Sequence, residues 1–299
     1  MDVLLPRSLE EALEMKAAHP QALPIAGGTD VMVELNFDLG RPETILDICR
    51  IPELQQWRVE DGLLFLGAGV TYARIMRELP RFTPLAEASR TVGSPQIRNR
   101  GTVGGNLGTA SPAGDALPVL AAYDAEVVVT AAGGGVRSLA WNDFLVGVKK
   151  TALRDDELIL GARWRITRGR GSFSKIGTRN AMVIAMASLC LVADEDTRSV
   201  NVAMGSVAPT IVRASEAEAF AARAMEDAGA WDDPAAPIHD DTLEAFGRMV
   251  SAATRPIDDV RGTAAYRRHA CDILARRALR WALDGRRSEA GHPSRPSGH

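Results

Sequence analysis

The period of the hydrophobic pattern changes repeatedly along the chain, which predicts short helices and strands in alternation. Leu9, Ala12, Leu13 and Ala17 recur at helical spacing behind Ser8, with Glu10, Glu11 and Glu14 on the other side. A serine in front of such a run can accept from free N–H groups of the first turn, so an amphipathic helix is expected over residues 6–19. Residues 23–25 are a short apolar run leading into Ala26-Gly27-Gly28-Thr29-Asp30, and Val31, Met32 and Leu35 behind it predict one or two helical turns. Strands are expected at 43–48 and, after the Asp61-Gly62 turn, at 63–68. Thr71 is placed to cap a helix reaching Leu79, and a further helix is expected at 85–89.

Further on, a short helix at 119–122 precedes two strands, 125–130 and 136–139, that pair as a hairpin across Gly133-Gly134-Gly135. A helix at 141–144 and a strand at 156–160 follow. Residues 181–192 are apolar almost throughout and show neither period, so they read equally as a buried strand or a buried helix. A strand is expected at 200–207 and helices at 215–228, 242–253 and 266–283, with a Pro- and Asp-rich linker at 232–241.

One stretch, residues 91–118, breaks the alternation. Gly101, Gly104, Gly105 and Gly108 are interleaved with Thr102, Asn106, Thr109 and Ser111, and Asp115 follows. Glycines let a ligand approach bare backbone, and successive N–H groups of a turn can converge on an anion. The mixture suits a pyrophosphate with attached hydroxyls; a plain Gly-rich surface loop is the alternative. The earlier turn, Ala26 to Asp30, is a strand, a glycine bend and a helix start, a geometry that serves phosphate as well as a simple capped turn.

Taken whole, Ile97 to Pro118 closely resembles the flavin-binding medium subunit of the molybdenum hydroxylases, the xanthine dehydrogenase and carbon monoxide dehydrogenase family, whose pattern Ile-Arg-Asn-x-Gly-Thr-(Ile/Val)-Gly-Gly-Asn-Leu it matches without a gap. Ala26-Gly27-Gly28-Thr29-Asp30-Val31 is similar to a second family motif. The resemblance implies an α+β chain: an FAD-binding domain of the PCMH type at residues 1–167, made of two α/β subdomains at about 1–55 and 56–167, then a C-terminal domain at 168–285 with a three-stranded antiparallel sheet and helices. Residues 286–299 are expected to be a disordered tail. It further implies that the first turn, from Pro24 and Ile25 to Val31, holds the FAD pyrophosphate with Thr29. The second, through Gly101, Thr102, Gly104, Gly105, Asn106, Thr109 and Ser111, would complete the site, with Asp115 bonding ribityl or ribose hydroxyls. Ile159 would pack on the isoalloxazine, Phe173 cover its face and Lys175 reach it. Arg98 and Arg100 either neutralise phosphate or brace the loop through carbonyls. Val183 stands where the family carries an acid.

Composition narrows the classes. At 299 residues, 46% hydrophobic and 24% charged, the chain is an ordinary globular protein, and a net charge of −3 with 5% aromatics gives no case for nucleic acid. No leader or membrane-spanning run is evident, so a cytoplasmic protein without membrane contact is expected. Cys49, Cys190 and Cys271 are dispersed, whereas a [2Fe-2S] centre needs about four thiolates. Iron-sulfur clusters and the molybdenum cofactor are therefore expected on partner subunits, an iron-sulfur small subunit and a molybdenum large subunit, in a dimer of heterotrimers. The five histidines form no metal or triad pattern, and neither glycine motif holds a His or Cys to attach a flavin, so the FAD is expected to be noncovalent. No catalytic base or nucleophile stands out, as expected where the cofactor carries the chemistry. The implied function is electron transfer through FAD to NAD, oxygen or another acceptor; a flavin-free assembly subunit and a stand-alone flavin oxidoreductase are the alternatives.

Overall fold

The computed structural model describes residues 1–233 and 235–290. The chain begins with β1 (Asp2–Leu4), α1 (Leu9–Ala18), β2 (Leu23–Ile25), α2 (Val31–Asn36) and β3 (Thr44–Asp47). Ser8 caps α1 as expected, its side chain accepting from the Glu11 N–H. The three strands form a parallel sheet in the order β1-β3-β2, sealed by Ala12, Leu46, Ile51 and Leu54. Such a small sheet buries little by itself, and Leu158 of a later strand completes its core.

A 3-10 turn, Pro52–Gln55, leads to β4 (Trp57–Glu60) and β5 (Leu63–Gly67). Five helices follow: α3 (Tyr72–Glu78), α4 (Thr83–Thr91), α5 (Pro95–Arg100), α6 (Val103–Thr109) and α7 (Ala116–Ala122). Then come β6 (Glu126–Thr130), β7 (Arg137–Ala140), α8 (Trp141–Phe144), β8 (Leu145–Gly147), β9 (Lys150–Thr151) and β10 (Leu158–Arg165). The expected hairpin is β6 with β7, in an antiparallel sheet ordered β4-β5-β10-β6-β7. Strand β4 was not expected: Trp57, Arg58, Val59 and Glu60 alternate apolar and polar, but over only four residues, and at the sheet edge only Trp57 is even half-buried. All residues of α7 are buried, which is why the sequence there is apolar with no helical stripe.

The C-terminal part holds β11 (Gly171–Ile176), β12 (Ala187–Asp194), β13 (Ser199–Gly205) and β14 (Val212–Arg213), then α9 (Ser215–Asp227), α10 (Asp240–Ala252) and α11 (Ala264–Ala290). Its sheet is antiparallel in the order β11-β12-β13-β14, so the expected three strands gain a two-residue fourth at the edge, too short to carry a period. Strand β12 decides the ambiguous apolar stretch. Every one of its residues is buried, with Cys190 and Val192 in the core shared with α4 and α7, and Leu189, Leu191 and Ala193 in the core under α9 to α11. A sheet covered on both faces has no polar side, and the period of two disappears. Helix α11 runs to Ala290, beyond the end expected at residue 283; the expected disordered tail otherwise lies outside the described residues. Among the described residues no helix is long and apolar enough to cross a membrane.

Candidate cofactor site

The glycine-rich stretch is not a loop. It folds as α5 and α6, each begun by a hydroxyl cap: Ser94 accepts from the Ile97 N–H, and Thr102 from the Gly105 N–H at 2.9 Å. The Thr102 cap offsets only part of the helix cost of Gly104, Gly105 and Gly108, about 1 kcal/mol each, and tertiary contacts supply the rest of what holds α6 in place. The Gly104 N–H donates to the Ala68 carbonyl at 3.1 Å, and a Cβ on Gly104 would stand 2.4 Å from the Ala68 Cβ. Gly104 is therefore a packing glycine. Gly105 and Gly108 differ, since both are exposed; a Cβ on Gly105 would meet only the Thr102 hydroxyl, at 3.2 Å, and one on Gly108 the Ile159 Cδ1 at 3.7 Å.

The two glycine motifs, far apart in sequence, meet. Gly27 lies so close to α5 that a Cβ on it would be 2.1 Å from the Arg100 carbonyl oxygen. Thr109 donates its hydroxyl to Asp30 Oδ2 at 2.9 Å, tying α6 to the N-cap of α2. Gly28 takes φ +72°, so the bend requires glycine there. The N–H groups of Gly27, Gly28 and Thr29 have no acceptor among the described residues. Beneath the seam lies the fully buried Tyr72 ring, in contact distance of Gly101; burial and then the Asp115 and Asp30 carboxylates push its hydroxyl pKa up. Tyr72 had no signal of its own in the sequence, because only the fold brings its ring against Gly101.

At the far end of the central stretch, Asp115 is buried and pairs with Lys175 of β11 at 2.6 Å, while Thr91 donates its hydroxyl to the same oxygen at 3.1 Å. Lys175 also donates to the Thr91 carbonyl at 3.0 Å. Burial pushes the Asp115 carboxyl above its ordinary value, opposed by Lys175 and Thr91. Its second oxygen, Oδ1, is buried with no partner, which leaves one strong acceptor unspent. Asn106 is spent on the chain itself, its side-chain oxygen accepting from the Ala116 N–H at 3.3 Å, and Ser111 likewise accepts from Ala113.

Several expectations move with this geometry. The Phe173 ring is 6% exposed and packs inside the core shared with α4 and α7. The Lys175 side chain is 7% exposed and committed to Asp115 and Thr91, so any reach to a flavin passes through that pair. Ile159 is buried in β10, beside Gly108. Arg98 braces: one guanidinium nitrogen donates to the carbonyls of Arg90, Val92 and Gly93. Arg100 faces Cys49, whose thiol is pushed up by burial and by Asp47 and drawn down by Arg100.

The unpaired N–H groups at Gly27 to Thr29 lie beside the seam that joins the first glycine bend to α5 and α6, and backbone donors of this kind are suited to phosphate oxygens. Among the described residues no group of three His, Cys, Asp or Glu could hold a metal ion.

Comparison with known proteins agrees with that chemistry. The family described as FAD binding domain in molybdopterin dehydrogenase matches residues 1–163, and that of the CO dehydrogenase flavoprotein C-terminal domain matches residues 173–282. The chain is 34% identical to the caffeine dehydrogenase subunit beta of Pseudomonas sp. (strain CBB1) over 220 residues, 71% of this chain and 75% of that subunit. It is 29% identical to the xanthine dehydrogenase FAD-binding subunit of Escherichia coli O157:H7 over 287 residues, 92% of this chain and 94% of that one. A chain of carbon monoxide dehydrogenase from Hydrogenophaga pseudoflava superposes with a TM-score of 0.83 at 25% identity, covering 96% of this chain and 98% of its own. The chain belongs to the FAD-binding medium subunits of the molybdenum hydroxylases, the xanthine dehydrogenase and carbon monoxide dehydrogenase family.

Proposed function

We propose that this chain is the electron outlet of a multi-subunit molybdenum hydroxylase. It receives electrons from [2Fe-2S] clusters on an iron-sulfur small subunit, in turn supplied by a molybdenum large subunit, and passes them to NAD, oxygen or another acceptor. The observation that carries the reading is the seam where Gly27 meets Arg100, because it brings two phosphate-suited backbones to one surface. FAD, when bound, supplies the redox chemistry; the chain binds and orients it. Gly27, Gly28 and Thr29 would offer backbone donors, Gly105 and Gly108 close approach, and Asp115 Oδ1 an acceptor for hydroxyl or ring N–H groups. Pro24, Ile25, Ala26 and Val31 shape the bend, while Gly101, Thr102 and Gly104 hold α6 in place. A division near residue 167, between the two matched segments, a dimer of heterotrimers and a cytoplasmic location belong to the same reading.

Two experiments test the site. Acid precipitation of the purified chain is expected to leave all flavin in the supernatant, since no His or Cys lies in either motif; yellow colour retained in the pellet contradicts this. Gly105→Val is expected to weaken FAD binding at least a hundredfold, about 3 kcal/mol, while circular dichroism and melting stay near wild type. The added side chain points away from the packed side of α6, meeting only the Thr102 hydroxyl, so it fills ligand space and not core. Normal FAD affinity in that variant removes α6 from the site.

A further inference from the structure

Strand β11 is an edge strand, and edge N–H groups need a partner. The Phe173 N–H finds one across the domain boundary: Glu87 Oε2 of α4 accepts it at 2.7 Å. Two residues on, Lys175 reaches the Thr91 carbonyl of the same helix and Asp115. The spacings match. Residues two apart on a strand are separated by about 6.6 Å, and residues four apart on a helix by about 6 Å, so β11 and α4 are stapled twice in register, 173 to 87 and 175 to 91.

A carboxylate is a costly way to fill this place. Glu87 is half-buried, and burial pushes its pKa up, against the Phe173 N–H and Arg90, which lower it. Its other neighbours are the buried Cys190 of β12 and the half-buried Tyr123 at the end of α7, whose own pKa values its charge helps to raise. A leucine would pack as well without a desolvation cost, so the carboxylate oxygen itself is what the position uses. We propose that Glu87 is a positioning residue: it fixes the edge of β11 so that Lys175 is delivered onto Asp115 at the inner wall of the cofactor site.

The test uses the full chain as wild type, Glu87→Gln, Glu87→Leu and Glu87→Asp. Each is acetylated with an N-hydroxysuccinimide ester and the rate at Lys175 is read by peptide mass spectrometry, with the exposed Lys149 as reference. Lys175 is expected to react about tenfold faster in Glu87→Leu, and within about twofold of wild type in Glu87→Gln, whose amide oxygen still accepts. A merely space-filling role predicts no such split, with Lys175 protected alike in Glu87→Leu and Glu87→Gln. Protection of Lys175 in folded Glu87→Leu overturns the proposal. Should that variant fail to fold, Glu87→Asp decides: charge is kept but the reach is one methylene short, so faster labelling is expected and wild-type protection overturns it. A second arm, which alone rests on the flavin reading above, titrates FAD: affinity should fall about tenfold in Glu87→Leu and recover in Glu87→Gln. Unchanged affinity in Glu87→Leu overturns the link to the cofactor site. Absence of FAD binding in every variant contradicts the flavin reading and leaves the labelling result standing.

Discussion

Gly27→Ala is expected to abolish FAD binding and to lower stability by about 3 kcal/mol. The new Cβ would stand 2.1 Å from the Arg100 oxygen, 2.5 Å from its carbonyl carbon and 2.9 Å from the Gly101 nitrogen. All three atoms are backbone, so no side chain can rotate away and the seam must open. Overpacking a tight site costs about 1–3 kcal/mol, and backbone-on-backbone contact belongs at the upper end. Opening the seam also parts the N–H groups at Gly27 to Thr29 from the glycine face of α6, which is why binding should go with it. Gly40→Ala is the control, because a Cβ there meets nothing within 4 Å. Chemical denaturation and flavin content together check the result; full FAD content in Gly27→Ala would show that the two motifs do not act as one site.

Lys175→Met should be the other severe change, at about 3–5 kcal/mol, since it leaves the Asp115 carboxylate buried without its cation. The loss should depend on pH in a stated sense. Asp115 already has a pKa above its ordinary value because of burial, and removing Lys175 raises it further. A carboxyl whose folded pKa exceeds its unfolded one binds protons more readily when folded. The variant therefore gains stability as pH falls through the folded pKa toward the unfolded value, and is weakest at high pH. Urea unfolding at about pH 8 and about pH 5.5 should show a smaller gap to wild type at the lower value. Combining Lys175→Met with Asp115→Asn should recover much of the loss at high pH, as the charge is gone. A pH-independent deficit, unrelieved by the second change, would mean that packing and not charge holds this seam.

Elements whose cause lies within a few residues were legible. Ser8 and Thr71 cap the helices they precede, as Glu11 and Arg74 N–H donation shows, and the Asp61-Gly62 turn separates β4 from β5. Elements shaped by distant partners were not. The central stretch read as a loop because its glycines predict weak helix, yet Thr102 capping and the Ala68 contact make α6. Phe173 and Lys175 read as flavin neighbours from motif position, and only burial by α4 shows the ring in a core and the ammonium in an ion pair.

The sequence by itself determined the family, the glycine bend at Ala26 to Asp30, most helix starts, and that three dispersed cysteines are too few for a [2Fe-2S] cluster. These depend on residue identity and short-range hydrogen bonding, which any chain of this order carries. The tertiary structure alone decided that Gly27 rests on Arg100, that Gly105 is open while Gly104 is closed, that Arg98 spends its donors on carbonyls, and that Glu87, Thr91, Asp115 and Lys175 join the two domains. Each of these is a contact between segments far apart along the chain. Whether a glycine serves packing or a ligand depends on what stands where its Cβ would be, and that atom belongs to another part of the fold.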